Sequence, residues 1–222
     1  MSSDWSSDVC SSDLAAYDAL GDHPWPDDWS RWGGSTATRF EATGWFRTEK
    51  QGECWHLVDP DGCAFWSAGC DCVRSTVVTG ADGLESALTW SPHGRPGYED
   101  ACTAQGPSFL TANLIRAFSP RGWHARWGEL AIDALRRCAF NTVGNWSEFD
   151  VAARAAFPYV RPMKLQWAHT PMVFRDFPDV FDPALAQDAA AFAAQLTETR
   201  DDPAMIGYFL MNEPTWGFAA IT

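Results

Sequence analysis

The 222-residue sequence predicts an α/β fold of the (β/α)8, TIM-barrel type, cut off after about the fourth strand and preceded by a β-hairpin. Three observations lead there. Strand-like and helix-like stretches alternate from residue 64 onward and end on a further strand, which calls for a parallel sheet covered by helices. Ile206 to Met211 run apolar without polar alternation and stop at Asn212-Glu213-Pro214, the pattern of a strand buried on both faces of such a sheet. Long segments leave the C-terminal ends of the strands, the edge on which barrel enzymes carry their chemistry.

The chain divides into residues 1–14, 15–62 and 63–222. The first part repeats Ser-Ser-Asp three times, a polar low-complexity stretch that cannot bury enough surface to fold. One back-translation of Asp8 to Leu14 reproduces the end of a widely used sequencing adapter, so this part is read as a non-native artefact and left out of the fold. Re-amplifying the locus tests that: the repeat recovered in frame from source DNA refutes it. Residues 15–42 are read as an irregular lead-in. Gly44 to Glu49 and Cys54 to Asp59 then read as two strands around Gln51-Gly52-Glu53, with a second tight turn at Asp61-Gly62.

In the third part, the first half of a catalytic barrel, Ala64 to Cys70 is the first core strand. Residues 71–122 show little period, and so long a connection leaving a strand end is expected to fold over the functional face. Trp127, Leu130, Ala134, Leu135 and Cys138 recur at helical spacing on a helix ending near Cys138. Phe140 to Trp146 is the second strand, Ser147 with Asp150 the capping box of the next helix, and Tyr159-Val160 the third strand. A loop over 163–181 holds Trp167, His169 and Arg175. Asp182-Pro183 opens a helix whose Leu185, Ala189, Phe192 and Leu196 face the core, before the fourth strand.

Composition narrows the function. Hydrophobic residues make up 46% of the chain, enough for a substantial core, and 13 Trp with 14 Phe are many for this size, most of them read as core. Flat rings also stack on the C–H faces of sugars. A net charge of −13 without a basic stripe argues against nucleic acid and anionic membrane as partners, and says nothing against a neutral oligo- or polysaccharide. Seven cysteines show no C-x-x-C pair and no zinc-ligand spacing, so buried free thiols and no metal or cofactor are expected. No run reaches the ~18 apolar residues of a membrane span, and no signal peptide is visible. Compartment and oligomeric state stay open.

Glu213 is the leading candidate for chemistry, because Pro214 has no N–H with which to continue a central strand, so the sheet ends there and presents the acid at its C-terminal edge. Asn145 and Trp146 end the second strand, where an amide and a ring can meet a sugar; loop and core packing roles are equally open. Trp216 follows Glu213 in the same way. His169 lies in a loop on that side and is kept as a candidate contact, although a structural role is the stronger reading. Asp71 also follows a strand end but has no evident partner.

Gly44 to Gly69, Phe140 to Trp146, Phe177 to Pro183 and Gly207 to Pro214 together resemble the β-agarase type of glycoside hydrolase (family 50 type), within the clan A retaining glycosidases on β/α barrels. The resemblance covers most of 44–217, the N-terminal half of such a barrel. It implies that Glu213 is the acid/base, that Asn212 hydrogen-bonds the sugar 2-hydroxyl, and that the nucleophile is a second glutamate ending strand seven, beyond this chain. It also allows secretion. Another β-galactosidase or β-glucanase of the clan would show the same Asn-Glu pair and differ mainly in its loops, and a non-catalytic glycan-binding protein using its tryptophans is the alternative from another class. An aldolase or isomerase barrel is disfavoured, since Lys50 and Lys164 are the only lysines.

Overall fold

The computed structural model describes residues 25–174 and 177–213; residues 1–14, read above as non-native, and Trp216 lie outside them. Four short strands come first: β1 (Ser35–Arg39), β2 (Arg47–Gln51), β3 (Cys54–Val58) and β4 (Cys63–Phe65), in an antiparallel sheet ordered β1-β4-β3-β2. The β2–β3 hairpin pairs from Arg47↔Val58 to Gln51↔Cys54 around Gly52, whose φ of +60° supplies the left-handed residue a two-residue turn demands. The next turn is built by buried Asp59, which accepts from the backbone N–H groups of Asp61 (3.0 Å) and Cys63 (2.8 Å). The expected hairpin is therefore there, within a larger sheet. Part of the stretch read as an irregular lead-in is β1.

The remaining elements follow as β5 (Gly69–Cys70), β6 (Cys102–Thr103), β7 (Gly106–Pro107), α1 (Phe109–Phe118), α2 (Trp123–Arg137), β8 (Thr142–Val143), α3 (Phe149–Arg154), β9 (Tyr159–Pro162), β10 (Met172–Phe174), β11 (Phe177–Pro178), α4 (Leu185–Ala194) and β12 (Met205–Phe209). Strands β5, β8, β9 and β12 form a parallel sheet in which each lies beside its predecessor, with helices in every crossover. The fold is thus mixed α/β. Among the described residues β5 and β12 remain its outer strands, and no closed barrel is present.

Several expectations need correction. The first core strand is split: Cys63–Phe65 belongs to the antiparallel sheet, and only Gly69–Cys70 enters the parallel one. Buried Asn141 fixes the crossing, donating from Nδ2 to Trp66 O and Gly33 O (both 3.0 Å) while Oδ1 accepts from Ala68 N–H (2.9 Å). Gly69 allows β5 to reach β8, because a Cβ there would lie 1.8 Å from the Thr142 carbonyl oxygen. Within 71–122 stands helix α1, capped by Ser108, whose hydroxyl accepts from Thr111 N–H at 3.2 Å. The Ser108 cap and the apolar positions Leu114, Ile115 and Phe118 were its signal in the sequence.

Helix α2 buries Trp123, Gly128, Ile132 and Leu135, whereas Ala134 and Cys138 of the expected face are exposed. Ser147 does not cap α3: its hydroxyl accepts from Val73 N–H (2.9 Å) and donates to Asn145 O (3.3 Å). On α4 the buried residue is Asp188, while Ala189 is exposed, as is Leu196 in the tighter turn that follows the helix. Asp182 does accept from Ala184 N–H (2.8 Å) as a cap would, one turn ahead of the regular helix. The fourth strand, expected to be buried on both faces, is an edge strand among the described residues and half-buried along most of its length. The six described cysteines are free, but only Cys63 is buried. No helix among the described residues is long and apolar enough to cross a membrane.

One face of the parallel sheet carries the core. Val143 and Tyr159, with Cys70 and Met205 beside them, pack against Ile132, Leu135, Val151 and Ala152 of the helices. Alternation puts Asp71, Gly144, Val160 and Pro162 on the opposite face. A register shift between Met205 and Gly207 sends Tyr208 to the helix side, 3.4 Å from the Thr199 hydroxyl, and Phe209 to the other.

Candidate functional site

All four parallel strands end on one rim. There the chain emerges as Asp71 after β5, Gly144-Asn145-Trp146 after β8, Met163 after β9 and Leu210 to Glu213 after β12. Met163 N–H donates to Phe209 O (2.9 Å), tying the last two exits together.

The exits of β5 and β8 are cross-braced residue by residue. Asn145 N–H donates to Asp71 Oδ1 (2.7 Å), Cys72 N–H to Asn145 O (2.9 Å), and Glu148 N–H to Val73 O (2.9 Å). Glu148 Oε1 accepts from Ser75 N–H (2.6 Å) and the Ser75 hydroxyl (2.8 Å), and its Oε2 lies 2.6 Å from His124 Nε2 on α2. This clamp was not visible from sequence, because its partners are 73 and 24 positions apart. Above it opens a cleft of about 640 Å³ lined by Arg74, Thr76, Val77, Val78, Trp146, Ser147 and Glu148, within the size range of small-ligand sites.

Of the residues singled out in the sequence, Trp146 stands on this rim, 47% exposed, its ring 6.4 Å from that of Phe209. Its φ of +53° lies in the left-handed region, uncommon for a bulky residue, and turns the chain abruptly after β8. Asn145 is 4% exposed and its amide oxygen has no hydrogen-bond partner among the described residues. Its backbone, rather than its side chain, makes the bracing contacts. Asn212 and Glu213 follow the end of β12 and are both exposed, with Glu213 at φ +44°.

His169 is committed elsewhere. Its Nδ1 lies 2.8 Å from Asp188 Oδ1, and Asp188 Oδ2 accepts from the N–H groups of His169 (3.1 Å) and Thr170 (2.8 Å) and from the Thr170 hydroxyl (2.6 Å). The Thr170 hydroxyl, followed by the His169 ring, holds the Asp188 carboxyl well below the usual carboxylate range against the opposing effect of burial. These bonds anchor the loop before β10, which is a structural task for His169. No group of three or more His, Cys, Asp or Glu side chains among the described residues is assembled to hold a metal.

Chemically, the rim offers an exposed carboxylic acid, an exposed indole and an open polar cleft, a set that suits a neutral polyol. One acid can deliver a proton, but substitution at an anomeric carbon with retention needs a second.

No family model matches the chain. It is 29% identical to beta-agarase B of Vibrio sp. (strain JT0107) across 83% of this chain and 24% of that protein. Beta-agarase A of the same organism is 27% identical across 73% and 19%. Among solved structures, the agarase AgWH50C superposes with a TM-score of 0.77 at 30% identity, covering 94% of this chain and 35% of that one. PfGH50B gives 0.74 at 26% identity, with 90% and 34% covered. The chain thus spans about a fifth to a quarter of the length of the curated relatives, which are beta-agarases, and about a third of the similar structures.

Proposed function

We propose that the chain forms part of a glycoside hydrolase that cleaves β-galactosidic links of an agar-type polysaccharide by a retaining double displacement, with Glu213 as acid/base. The observation that carries this reading is the exit of Glu213 from β12 onto the rim that also bears Trp146, in a chain whose relatives are beta-agarases. The four parallel strands are read as the first half of a (β/α)8 barrel, 63–222 as that half and 15–62 as its N-terminal extension.

In the first step a carboxylate attacks the anomeric carbon and breaks its bond to the leaving oxygen, while Glu213 gives that oxygen its proton. In the second, Glu213 takes a proton from water, whose oxygen displaces the enzyme carboxylate. The two acids stand about 5–5.5 Å apart in such enzymes. The nucleophile is assigned to a part of the protein outside these 222 residues. Asn212 is given the sugar 2-hydroxyl, and Asn145, Trp146 and Trp216 the neighbouring sugar rings. His169 enters only as an outer contact, since Asp188 already holds its Nδ1.

The test is Glu213→Gln in the complete gene product. Turnover of agarose oligosaccharides should fall by at least about 100-fold, the scale of lost general acid catalysis, with binding retained. Unchanged turnover refutes the role. The 222-residue chain alone is expected to be inactive, and hydrolysis of agarose oligosaccharides by it would refute the division of the two acids between this chain and the rest of the protein.

A further inference from the structure

Asp71 leaves β5 on the sheet face opposite the helices and is exposed at the rim. One oxygen, Oδ1, accepts from Asn145 N–H at 2.7 Å; the other, Oδ2, has no partner among the described residues. Room for this carboxylate comes from Gly144, where a Cβ would lie 2.0 Å from Asp71 Oδ1. The same N–H belongs to the turn that raises Trp146 onto the rim beside Phe209. The chain thus sets an acid, fixed by one oxygen and open at the other, beside the turn that carries an exposed indole.

That pair matches two features of a sugar. Hydroxyl hydrogens seek a strong acceptor, and an ionised carboxylate bonds them more strongly than a neutral amide or carbonyl does. The opposite, C–H-rich face of the ring packs on an aromatic plane. A sulfate ester or a uronic carboxylate at the same position would meet Asp71 as a like charge. We propose that Asp71 is a sugar-binding residue, its free oxygen accepting from a hydroxyl of a neutral saccharide whose ring lies against Trp146. The proposal rests on the glycosidase reading of this rim. It differs from a purely structural Asp71, which would need only Oδ1.

Asp71→Asn separates the two roles, because an asparagine keeps an oxygen for Asn145 N–H and loses the charged acceptor facing the sugar. The parent is the complete gene product carrying Glu213→Gln, so that ligand is bound without being consumed. Titration calorimetry with a neutral agarose hexasaccharide gives the affinity. Asp71→Asn should weaken binding about ten-fold or more, with the unfolding temperature within a few degrees of the parent. Trp146→Ala should weaken it to a similar extent, and a sulfated galactan of equal length should bind the parent at least ten-fold less tightly than the neutral one. Unchanged affinity in Asp71→Asn or in Trp146→Ala, or equal binding of the two galactans, overturns the proposal while leaving the glycosidase reading standing. Should Asp71→Asn not fold, the Trp146→Ala and galactan comparisons decide. A parent that binds no hexasaccharide overturns both.

Discussion

Replacing Asn141 by alanine tests how the two sheets are joined. The side chain is 2% exposed and makes three bonds to backbone groups of other segments: to Gly33 O, to Trp66 O and from Ala68 N–H. The bond to Gly33 is fully buried, and an abandoned buried partner costs about 1–3 kcal/mol. The two part-buried bonds, whose partners water can partly reach, add about 0.5–1.5 kcal/mol each. Their sum is about 2–6 kcal/mol, and a chain of this size loses about 2–4 °C of melting temperature per kcal/mol. Asn141→Ala should therefore melt about 4–24 °C below the parent, followed by circular dichroism with urea titration as the second measure. Asn141→Asp should fare as badly at pH 7, because it turns a negative oxygen toward two carbonyls, and should recover in part on acidification. A loss under about 1 kcal/mol for Asn141→Ala would refute the view that this one amide carries the junction.

Other expectations follow from single contacts. Because the carboxyl of Asp188 is depressed in the fold, its stabilising effect is complete above the unfolded value of about 4 and fades as pH drops toward the lower native one. The gap in urea midpoint between the parent and Asp188→Asn should thus be constant from pH 7 to about 5 and close below about 4; a gap that widens on acidification contradicts it. Tyr159 is buried and donates to Asp202 Oδ2 (2.8 Å); burial first and the Asp202 bond second push its phenol well above the usual range. Its stabilisation is present below the unfolded value of about 10 and is lost as pH climbs past it, so ultraviolet titration should show one tyrosine ionising only as the chain unfolds. Tyr159→Phe should abolish that delayed step and cost about 1–2 kcal/mol. Gly69→Ala should cost more than about 3 kcal/mol, as its methyl cannot coexist with the β5–β8 pairing; soluble variant with parent-like stability would disprove that close approach.

What the sequence made legible was what local chemistry dictates. Gly52 and Gly62 marked their turns, and the apolar spacing after Arg126 marked α2. The breaker at Asn212-Glu213-Pro214 marked an end to β12, although the regular strand stops at Phe209. What it concealed depends on partners far along the chain. Ala64 to Cys70 looked like one strand because nothing in its residues reveals that Asn141 will bind the backbone on either side of Ser67 and hand the chain from one sheet to the other. Ser147 had the spacing of a helix cap, yet the hydroxyl found Val73 N–H, 74 positions away. The partners of His169 and Asp71 were hidden for the same reason: the ring of the first meets Asp188, 19 positions on, and the second accepts from Asn145 N–H, 74 positions on. Helix faces were misjudged where alanines fill α4, since a single methyl group has little area to gain by burial and so carries little directional information.

The bracing between the exits of β5 and β8 has a thermodynamic consequence for any ligand that lands there. Segments already locked by backbone bonds lose little further freedom on association, so the cost of ordering that usually erodes affinity is small on this side of the rim. Tolerance for misfit is correspondingly low: a ligand of the wrong outline meets a stiff wall rather than a loop that can adapt. Discrimination between closely related ligands should accordingly appear as differences in how long they stay, with arrival rates nearly alike.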